Sequence, residues 1–352
     1  MKVLSKYIDA NAILHDRLIH KDFADIFTNV RDVPQYIKDN LNFELREYQM
    51  RAIRKLMYTQ ESDVADLSYR YLLFHMATGS GKTLVMASLI LYMFKEHGYQ
   101  NFLFFVNSDA IVKKTYDNLI EISSPKYLFD KNGIVIDGEN IVVQSVDDFP
   151  PHPEENTIYI KLTTIQGLHT SLEHPEENSI TYEDLGELDI VLLGDEAHHY
   201  FALTKKSKKK LTKAEQNSKT WEETINKILS LRAKNRMFGF SATLNLDNEL
   251  LFEKVKDKIV FQYDLSKFMD DQFSKNVVLL RANEEDGTKI LHSILLSQYR
   301  KYIAREHGIH LKPVIMFKSN TIAISEQSYQ TLLNMIENLT TRQLEEVIRR
   351  GN

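Results

Sequence analysis

Residues 77–83, with the sequence ATGSGKT, have the types and spacing that a phosphate-binding loop needs. Phosphate groups are bound by clustered backbone N–H donors, by a helix N-terminus and by a flexible cation. Glycine lets the backbone wrap closely around a phosphate, while Lys82 can reach the β and γ phosphates and Thr83 can coordinate Mg²⁺. The residues predicted to contact ATP here are Thr78, Gly79, Ser80, Gly81, Lys82 and Thr83.

The loop departs from the common pattern G-x-x-x-x-G-K-[ST] at its first position, where Met76 replaces glycine. Met76 ends the apolar run YLLFHM, so we expect it to be the last residue of a buried strand. Gly79 and Gly81 are then expected to shape the loop. A strand before the loop and a helix after it are the context that distinguishes a phosphate site from a chance Gly-Lys-Thr.

A pair of adjacent carboxylates, Asp195 and Glu196, follows the apolar run LDIVLLG. Open α/β sheets bind their ligands at the carboxyl ends of the strands, where this pair is expected to lie. We predict that Asp195 holds the Mg²⁺ shell and that Glu196 orients and deprotonates the attacking water. His198 and His199 follow directly, but adjacent histidines do not share one helical face, so a zinc site is rejected.

A third polar segment, SAT at 241–243, ends another apolar run, RMFGFS. Its strand should open onto the same edge of the sheet as the other two. The hydroxyl groups of Ser241 and Thr243 can then hydrogen-bond to His198 and report the state of the γ phosphate. Taken alone, a serine here could equally be a helix cap or a turn residue.

The elements that must position these segments alternate between short apolar strands and amphipathic helices. Apolar runs without polar alternation are typical of strands buried on both faces of a parallel sheet, and strand–helix repetition predicts a doubly wound α/β sheet. A hairpin is predicted around Asp137 and Gly138. A later apolar run, KPVIMFKSN at 312–320, predicts another buried strand, and a long helical pattern follows over 325–350.

These patterns divide the chain into four parts. We predict an N-terminal extension at 1–40, a first ATP-binding domain at 41–265, a linker or helical segment at 266–310, and the beginning of a second domain at 311–352. Only a few dozen residues follow the last predicted strand, fewer than the roughly 100 of a typical domain, so the second domain is expected to be truncated.

The composition is that of an ordinary globular protein, with 352 residues, 43% of them hydrophobic, and a net charge of −5. There is no cysteine, so disulfides and thiolate chemistry are excluded, and a cytoplasmic location is expected. The longest apolar run, 84–94, is shorter than the ~20 residues that span a bilayer, so no membrane partner is expected. The lysine-rich stretch at 205–213 is read as a solvated loop, and a phosphate-backbone contact remains an alternative.

With these segments in place, the chain resembles a superfamily 2 helicase or translocase of the DEAD/DEAH type. MATGSGKT resembles motif I, GDEAHHY motif II and SAT motif III, in the order and approximate spacing of that family. ELREYQMRAI is similar to its LRxYQ segment, and PVIMFKSN to its motif IV. The resemblance implies a RecA-like sheet with helices on both faces, followed by the start of a second RecA-like domain.

The resemblance also implies roles for further residues. Arg46 and Gln49 of the LRxYQ segment would bind the nucleotide, with Gln49 reading the adenine edge. FFVNSDAIVKKT is similar to motif Ia and KLTTIQGL to motif Ib, which contact the nucleic-acid backbone in that family. The residues expected to contact the nucleic acid are therefore Asn107, Ser108, Thr163, Thr164 and Gln166.

Within the superfamily, the loop and the acidic segment most resemble the Res subunit of type III restriction enzymes. That resemblance implies an ATP-driven motor on double-stranded DNA and a partner methyltransferase (modification) subunit. Motifs V and VI and a nuclease signature are not found in the chain, which should therefore bind ATP, hydrolyse it weakly, and neither translocate nor cut DNA alone.

Two other readings stay open at this point. The chain could be a stand-alone DEAH-type repair helicase, or a nucleotide-dependent nucleic-acid-binding module without motor activity. A metabolic P-loop kinase is disfavoured, because such an enzyme has no need of the SAT and TTIQ segments.

Overall fold

The computed structural model describes residues 12–18, 32–61, 69–175, 180–201, 213–274, 286–342 and 345. The chain divides into two compact units, Met1–Lys275 and Asn276–Asn352, which are treated separately below. The lysine-rich stretch at 205–213 lies outside the described residues except for residue 213, the first of a helix. None of the helices within the described ranges has the length and apolar character to cross a membrane.

The first unit is built on one eight-stranded sheet. Its strands are β1 (Tyr71–Met76), β2 (Asn101–Val106), β3 (Ile134–Ile136), β4 (Glu139–Ser145), β5 (Thr157–Thr164), β6 (Ile190–Gly194), β7 (Arg236–Ser241) and β8 (Ile259–Tyr263). They lie in the order β3-β4-β5-β2-β6-β7-β1-β8. Every neighbouring pair is parallel except the hairpin β3–β4, which turns at Asp137 and Gly138 as predicted.

Helices cover both faces of this sheet. They are α1 (residues 14–18), α2 (Gln35–Asp39), α3 (Glu47–Glu61), α4 (Lys82–His97), α5 (Asp109–Leu119), α6 (Ile165–Glu173), α7 (Tyr182–Gly186), α8 (Lys213–Leu231), α9 (Glu249–Val255) and α10 (Leu265–Asp270), with a short 3₁₀ helix at Ala197–Tyr200. The sequence patterns did not predict α8. The predicted helix after the loop is confirmed, and it ends at Gly98, whose φ of 71° closes the last turn.

Successive residues of the central strands lie in two separate apolar cores, one on each face of the sheet. In β1, Leu72 and Phe74 belong to the core that includes residues of α3 and α4, whereas Leu73 belongs to the core that includes residues of α6, α8 and α9. All three side chains are at most 1% exposed. Burial on both faces explains why the strands are continuously apolar, and it confirms the predicted α/β class with a doubly wound, mostly parallel sheet.

Side chains from the N-terminal segments contact the outer edge of each terminal strand. On β3, Asn40 accepts a hydrogen bond from the N–H of Val135 at 2.7 Å and donates one to its carbonyl at 2.8 Å. On β8, the N–H of Gln262 donates to Nδ1 of His15 at 3.1 Å. Burial lowers the pKa of His15 to about 3, so the ring is neutral and can accept this bond.

The second unit contains α11 (Asp286–Glu306) and α12 (Ile322–Glu337) among its described residues. The prediction of a buried strand at 312–320 is wrong: these residues adopt no regular structure, and Val314 and Met316 are 84% and 87% exposed. A strand forms only where a neighbour pairs with its backbone groups, and no strand of this unit is described. The predicted helix at 325–350 begins earlier, at Ile322, and is interrupted at Asn338.

Candidate functional site

The three polar segments predicted to do chemistry lie side by side at one edge of the sheet. Each follows the C-terminal end of its strand, and the three strands β6, β7 and β1 are direct neighbours in that order. Residues 77–83 follow β1, Asp195 and Glu196 follow β6, and Ser241 ends β7. The structure therefore brings the phosphate loop, the acidic pair and the SAT segment into one crevice.

The phosphate loop leaves the donors at the start of α4 available to a ligand. Gly79 and Gly81 have φ of 81° and 76°, in the left-handed region that favours glycine. Gly81 is also the N-cap of α4, and in this fully described helix no side chain caps the first turn. Uncapped N–H groups at a helix start, followed by Lys82 and Thr83, are the donor set that a phosphate requires.

Gln49, expected to read the adenine edge, contacts the phosphate loop. Its side-chain Nε2 donates to the carbonyl of Ser80 at 3.0 Å and to that of Gly81 at 3.4 Å, and its Oε1 accepts from the N–H of Arg46 at 2.8 Å. A Cβ at Gly81 would lie 2.4 Å from this Nε2. Position 81 must therefore be glycine for its conformation and also for the space that Gln49 occupies.

The acidic pair is held by a dense set of backbone contacts. The N–H of Glu196 donates to Oδ1 of Asp195 at 2.9 Å, and the hydroxyl of Tyr200 donates to the carbonyl of Asp195 at 2.5 Å. Burial raises the pKa of Asp195, while nearby Lys82 and the Glu196 N–H lower it in part. The charge of Lys82, which follows β1, therefore favours the ionised form of Asp195, which follows β6.

Two residues around the pair have unusual backbone requirements. Glu196 has φ of 53°, a left-handed conformation that is uncommon outside glycine, asparagine and aspartate. Gly194 has no room for a side chain, because a Cβ there would lie 2.8 Å from Met237 and 3.0 Å from both Phe105 and Tyr200. The close packing around Gly194 and the left-handed backbone of Glu196 together restrict the direction of the Glu196 carboxylate.

His198 joins the acidic pair to the SAT segment. Its Nδ1 lies 2.9 Å from Oγ of Ser241, 3.3 Å from Oγ1 of Thr243 and 3.3 Å from Oε2 of Glu196. Burial, followed by the charges of His199 and Lys82, lowers the pKa of His198 to about 4. The ring is therefore neutral near pH 7, so its 3.3 Å contact with Glu196 is not an ion pair.

The residues expected to contact nucleic acid lie at the neighbouring strand ends. Asn107 and Ser108 follow β2, Thr163 and Thr164 end β5, and these strands are direct neighbours. Gln166 lies in the first turn of α6. A surface groove of about 610 Å³ runs past the last two of these positions and is lined by Asp109, Thr164, Gln166, Gly167, Thr170, Ser171 and His174.

The other lining residues of this groove were not identified from the sequence. Thr170, Ser171 and His174 reach it only because α6 packs against β5 and β2 in this fold. Their residue types alone carry no signal, since single hydroxyl and imidazole side chains occur throughout the chain. Among the described residues that line the groove, there is no lysine or arginine.

Comparison with known proteins adds a family to this geometry. The profile of the family described as "Type III restriction enzyme, res subunit" matches residues 42–246. The chain is also 36% identical, over 330 residues, to a Haemophilus influenzae protein named "Probable type III restriction-modification enzyme HindVIP Res subunit". That alignment covers 87% of this chain and 63% of the relative, so the chain spans less than two thirds of the relative's length.

Solved structures of helicases are more distant. The helicase MrfA bound to DNA and AMPPNP is 15% identical, with a TM-score of 0.43 over 80% of this chain and 39% of that one. Saccharomyces cerevisiae Dbp5 bound to RNA and ADP BeF3 is 14% identical, with a TM-score of 0.43 over 87% and 67%. These likenesses are too weak to assign a role to any residue.

Proposed function

The chain belongs to the type III restriction enzyme res subunit family, and from that premise we propose that it is the ATP-hydrolysing part of a motor that moves on double-stranded DNA. The matched residues 42–246 include the phosphate loop, the acidic pair and the SAT segment. A partner modification subunit with methyltransferase activity is proposed on the same basis, from the restriction-modification name of the relative.

The observation that carries the proposal is the placement of Lys82 and Asp195 on the two sides of β7. Gly79, Gly81 and the uncapped start of α4 provide the space and the N–H donors for a triphosphate. The buried carboxylate of Asp195, near Lys82, fits a phosphate that is bridged by Mg²⁺. Thr83 and Asp195 would hold Mg²⁺. When bound, ATP·Mg²⁺ supplies the phosphoanhydride that is cleaved and neutralises part of the developing charge.

The side chains of the crevice divide the remaining work. Lys82 stabilises charge on the β and γ phosphates, and the N–H groups of Gly81 and Lys82 hold the phosphate oxygens. Glu196 orients the attacking water and accepts its proton, a task suited to a carboxylate that is 32% exposed and held by backbone strain. His198 touches both Glu196 and Ser241, so movement of the acidic pair on hydrolysis would shift the SAT segment.

The contact with DNA is proposed at the strand ends beside the crevice. Asn107 and Ser108 follow β2, which is next to β6 in the sheet, while Thr163 and Thr164 end β5, one strand further away, and Gln166 follows them. A nucleic-acid strand there would lie one to two β-strands away from the acidic pair. This proximity would couple the state of the ATP site to the contact with DNA. The first domain is proposed at 41–265, and the start of a second domain at 311–352.

The test is the exchange Glu196→Gln, measured in the chain and in a longer form that is extended towards the length of its relative. Glutamine keeps the size and the hydrogen-bonding reach of the side chain and removes the basic carboxylate. We expect ATP binding to be retained and DNA-stimulated hydrolysis in the longer form to fall by about 10²- to 10⁴-fold.

The matched control is Lys82→Ala, which should lose ATP binding as well as hydrolysis. Hydrolysis by Glu196→Gln at the rate of the unmodified protein would contradict the assignment of Glu196. Hydrolysis that DNA fails to stimulate in the longer form would instead favour a binding module that uses the nucleotide as a structural ligand.

A further inference from the structure

We propose that His75 is a second positioning residue for the SAT segment, and that its unpartnered ring nitrogen is the alternative hydrogen-bond acceptor for the hydroxyl of Ser241. The inference rests on the proposed function, because it concerns how the SAT segment is coupled to the ATP site. His75 belongs to none of the polar segments identified in the sequence. It lies in β1, two residues before the phosphate loop begins at Ala77.

His75 and Ser241 lie next to each other on one face of the sheet. The two residues are Cα partners in the parallel pairing of β1 with β7, and residues paired in this way direct their side chains to the same face. Leu73, two residues earlier in β1, packs on that face in the core that includes residues of α6, α8 and α9. Ser241 is 1% exposed and His75 is 7% exposed, so both side chains depend on protein groups for their hydrogen bonds.

The imidazole of His75 has an unused hydrogen-bonding atom. Its Nδ1 is buried and has no hydrogen-bond partner among the described residues. Burial lowers the pKa of His75, and a hydrogen bond to the backbone of Ala242 raises it in part. The ring is therefore neutral near pH 7, and a neutral imidazole that donates one hydrogen bond through Nε2 leaves Nδ1 as an acceptor. A buried acceptor without a donor destabilises the fold, and an apolar side chain at position 75 would avoid that cost.

A second acceptor matters because Ser241 contacts a group that is proposed to move. Its oxygen accepts from the N–H of Thr243 at 3.2 Å and lies 2.9 Å from Nδ1 of His198, which in turn contacts Glu196. A hydroxyl has one proton to donate. When His198 moves with the acidic pair during hydrolysis, a rotation of the Ser241 side chain directs this proton to Nδ1 of His75.

The exchange would keep the SAT segment connected to the ATP site in both states. With His198 as its partner, Ser241 is linked to the acidic pair that follows β6. With His75 as its partner, Ser241 is linked to the strand that carries the phosphate loop. Because the hydroxyl makes one neutral hydrogen bond in either state, neither state is strongly favoured over the other, as a switch requires.

The experiment measures DNA-stimulated ATP hydrolysis, ATP affinity and urea unfolding of His75→Phe in the longer form of the chain. Phenylalanine keeps a ring at this position and removes both nitrogens. We expect turnover to fall about 5-fold, the effect of losing one neutral hydrogen bond, at unchanged ATP affinity. The urea midpoint should stay the same or rise, because removal of the unpartnered nitrogen offsets the lost bond to Ala242. Normal turnover with a lower urea midpoint would identify a purely structural histidine and would overturn the inference.

Leu73→Ala is the matched control, because it changes the same face of β1 two residues before His75. It should lower the urea midpoint, as truncation of a core residue does, and leave the turnover of the folded protein unchanged. A fall in turnover as large as that of His75→Phe would mean that any disturbance of β1 slows hydrolysis. That result would contradict a specific role for His75.

Two polar exchanges assign the role to one ring nitrogen, and they decide the question even if His75→Phe fails to fold. Asparagine can place its carbonyl oxygen near the position of Nδ1, whereas the amide of glutamine reaches the position of Nε2. His75→Asn should therefore retain more turnover than His75→Gln. The reverse order would show that His75 acts only by holding Ala242, and the exchange of Ser241 between two histidines would be wrong.

A double exchange tests whether His75 acts through Ser241. His75→Phe combined with Ser241→Ala should turn over no more slowly than Ser241→Ala alone, because the hydroxyl that His75 accepts is already absent. Losses that multiply, to about 25-fold together, would show that the two residues act independently.

Failure of the proposed function has a different signature. If the unmodified longer form did not hydrolyse ATP, or if Lys82→Ala hydrolysed it equally fast, the ATP site itself would be wrong. If Lys82→Ala abolished hydrolysis while His75→Phe left it unchanged, the site would stand and only the role of His75 would fall.

Discussion

The phosphate loop and the acidic pair lie one strand apart, and both place residues in left-handed backbone, but they do so with opposite residue types. The loop uses Gly79 and Gly81, with φ of 81° and 76°, whereas the acidic pair uses Glu196, with φ of 53°. Where a ligand must approach the backbone, the side chain is absent. Where the side chain itself is proposed to do the chemistry, at Glu196, the chain tolerates a strain of roughly 1–2 kcal/mol.

The largest effect should come from removing the strained side chain. Glu196→Gly and Glu196→Ala both delete the carboxylate, so we expect turnover to fall by about 10²- to 10⁴-fold in each. Their stabilities should differ, because only glycine adopts the left-handed conformation without strain. The glycine variant should unfold with a free energy about 1 kcal/mol higher than that of the alanine variant, measured by urea denaturation. Equal free energies of unfolding would mean that the backbone at position 196 leaves the left-handed conformation. That result would contradict the contrast between the phosphate loop and the acidic pair.

The glycines of the phosphate loop provide the converse test. Alanine at Gly79 meets nothing within 4 Å, so Gly79→Ala should show only the backbone penalty, about 1 kcal/mol. Alanine at Gly81 also overlaps Nε2 of Gln49, so Gly81→Ala should additionally weaken ATP binding by about 10-fold or more, as a displaced donor set would. Equilibrium binding of ATP by both variants distinguishes the two costs. Gly81→Ala with Gln49→Ala should recover part of the loss, and no recovery would argue against the role of Gln49.

The contact of His198 with the SAT segment can be weakened without changing the phosphate loop or the acidic pair. Ser241→Ala removes the hydroxyl 2.9 Å from His198, and Thr243→Ser keeps the second hydroxyl as a matched conservative change. We expect Ser241→Ala to reduce DNA-stimulated turnover several-fold at unchanged ATP affinity, since a single neutral hydrogen bond contributes about 1 kcal/mol. A loss of ATP affinity instead of turnover would show that the SAT segment supports the nucleotide and not the coupling.

The smallest effect concerns pH, and it comes from the partly buried His198, which joins the acidic pair to the SAT segment. His198 has a pKa of about 4 in the folded chain against 6.5 as an unperturbed side chain. As pH falls from 6.5 towards 4, the unfolded chain takes up a proton that the folded chain refuses, so the free energy of unfolding decreases. The loss should be at most about 1.4 kcal/mol per pH unit.

The control for this titration is His198→Asn, which keeps a polar group near Ser241 and cannot titrate. Its free energy of unfolding, measured from pH 7 to pH 4.5, should decline less steeply than that of the unmodified protein. Parallel curves for the two proteins would place the pKa of His198 near its ordinary value and would contradict the neutral ring described above.

The strands and the loop were predictable because their signals are local. The run YLLFHM reveals a strand buried on both faces, and Gly81, Lys82 and Thr83 reveal the loop that follows it. The adjacency of the three polar segments was also predictable, because parallel strands all end at the same edge. These features depend on the order of residue types and not on contacts between distant parts of the chain.

What the sequence could not reveal depends on such contacts. The engagement of Gln49 with the loop requires the space left by Gly81, 32 residues away, and no pattern encodes that fit. The apolar run at 312–320 has the composition of a strand, but composition does not say whether a neighbour is present to pair with it.

The two side chains that contact the sheet edges also bear on the chain's behaviour in concentrated solution. An exposed outer strand offers unpaired N–H and carbonyl groups to any other strand, which makes it a template for intermolecular association. Asn40 occupies both groups of Val135 on one edge, and His15 occupies the N–H of Gln262 on the other. Both come from before residue 41, so removing residues 1–40 would uncover both edges and favour aggregation even though the phosphate loop, the acidic pair and the SAT segment are retained.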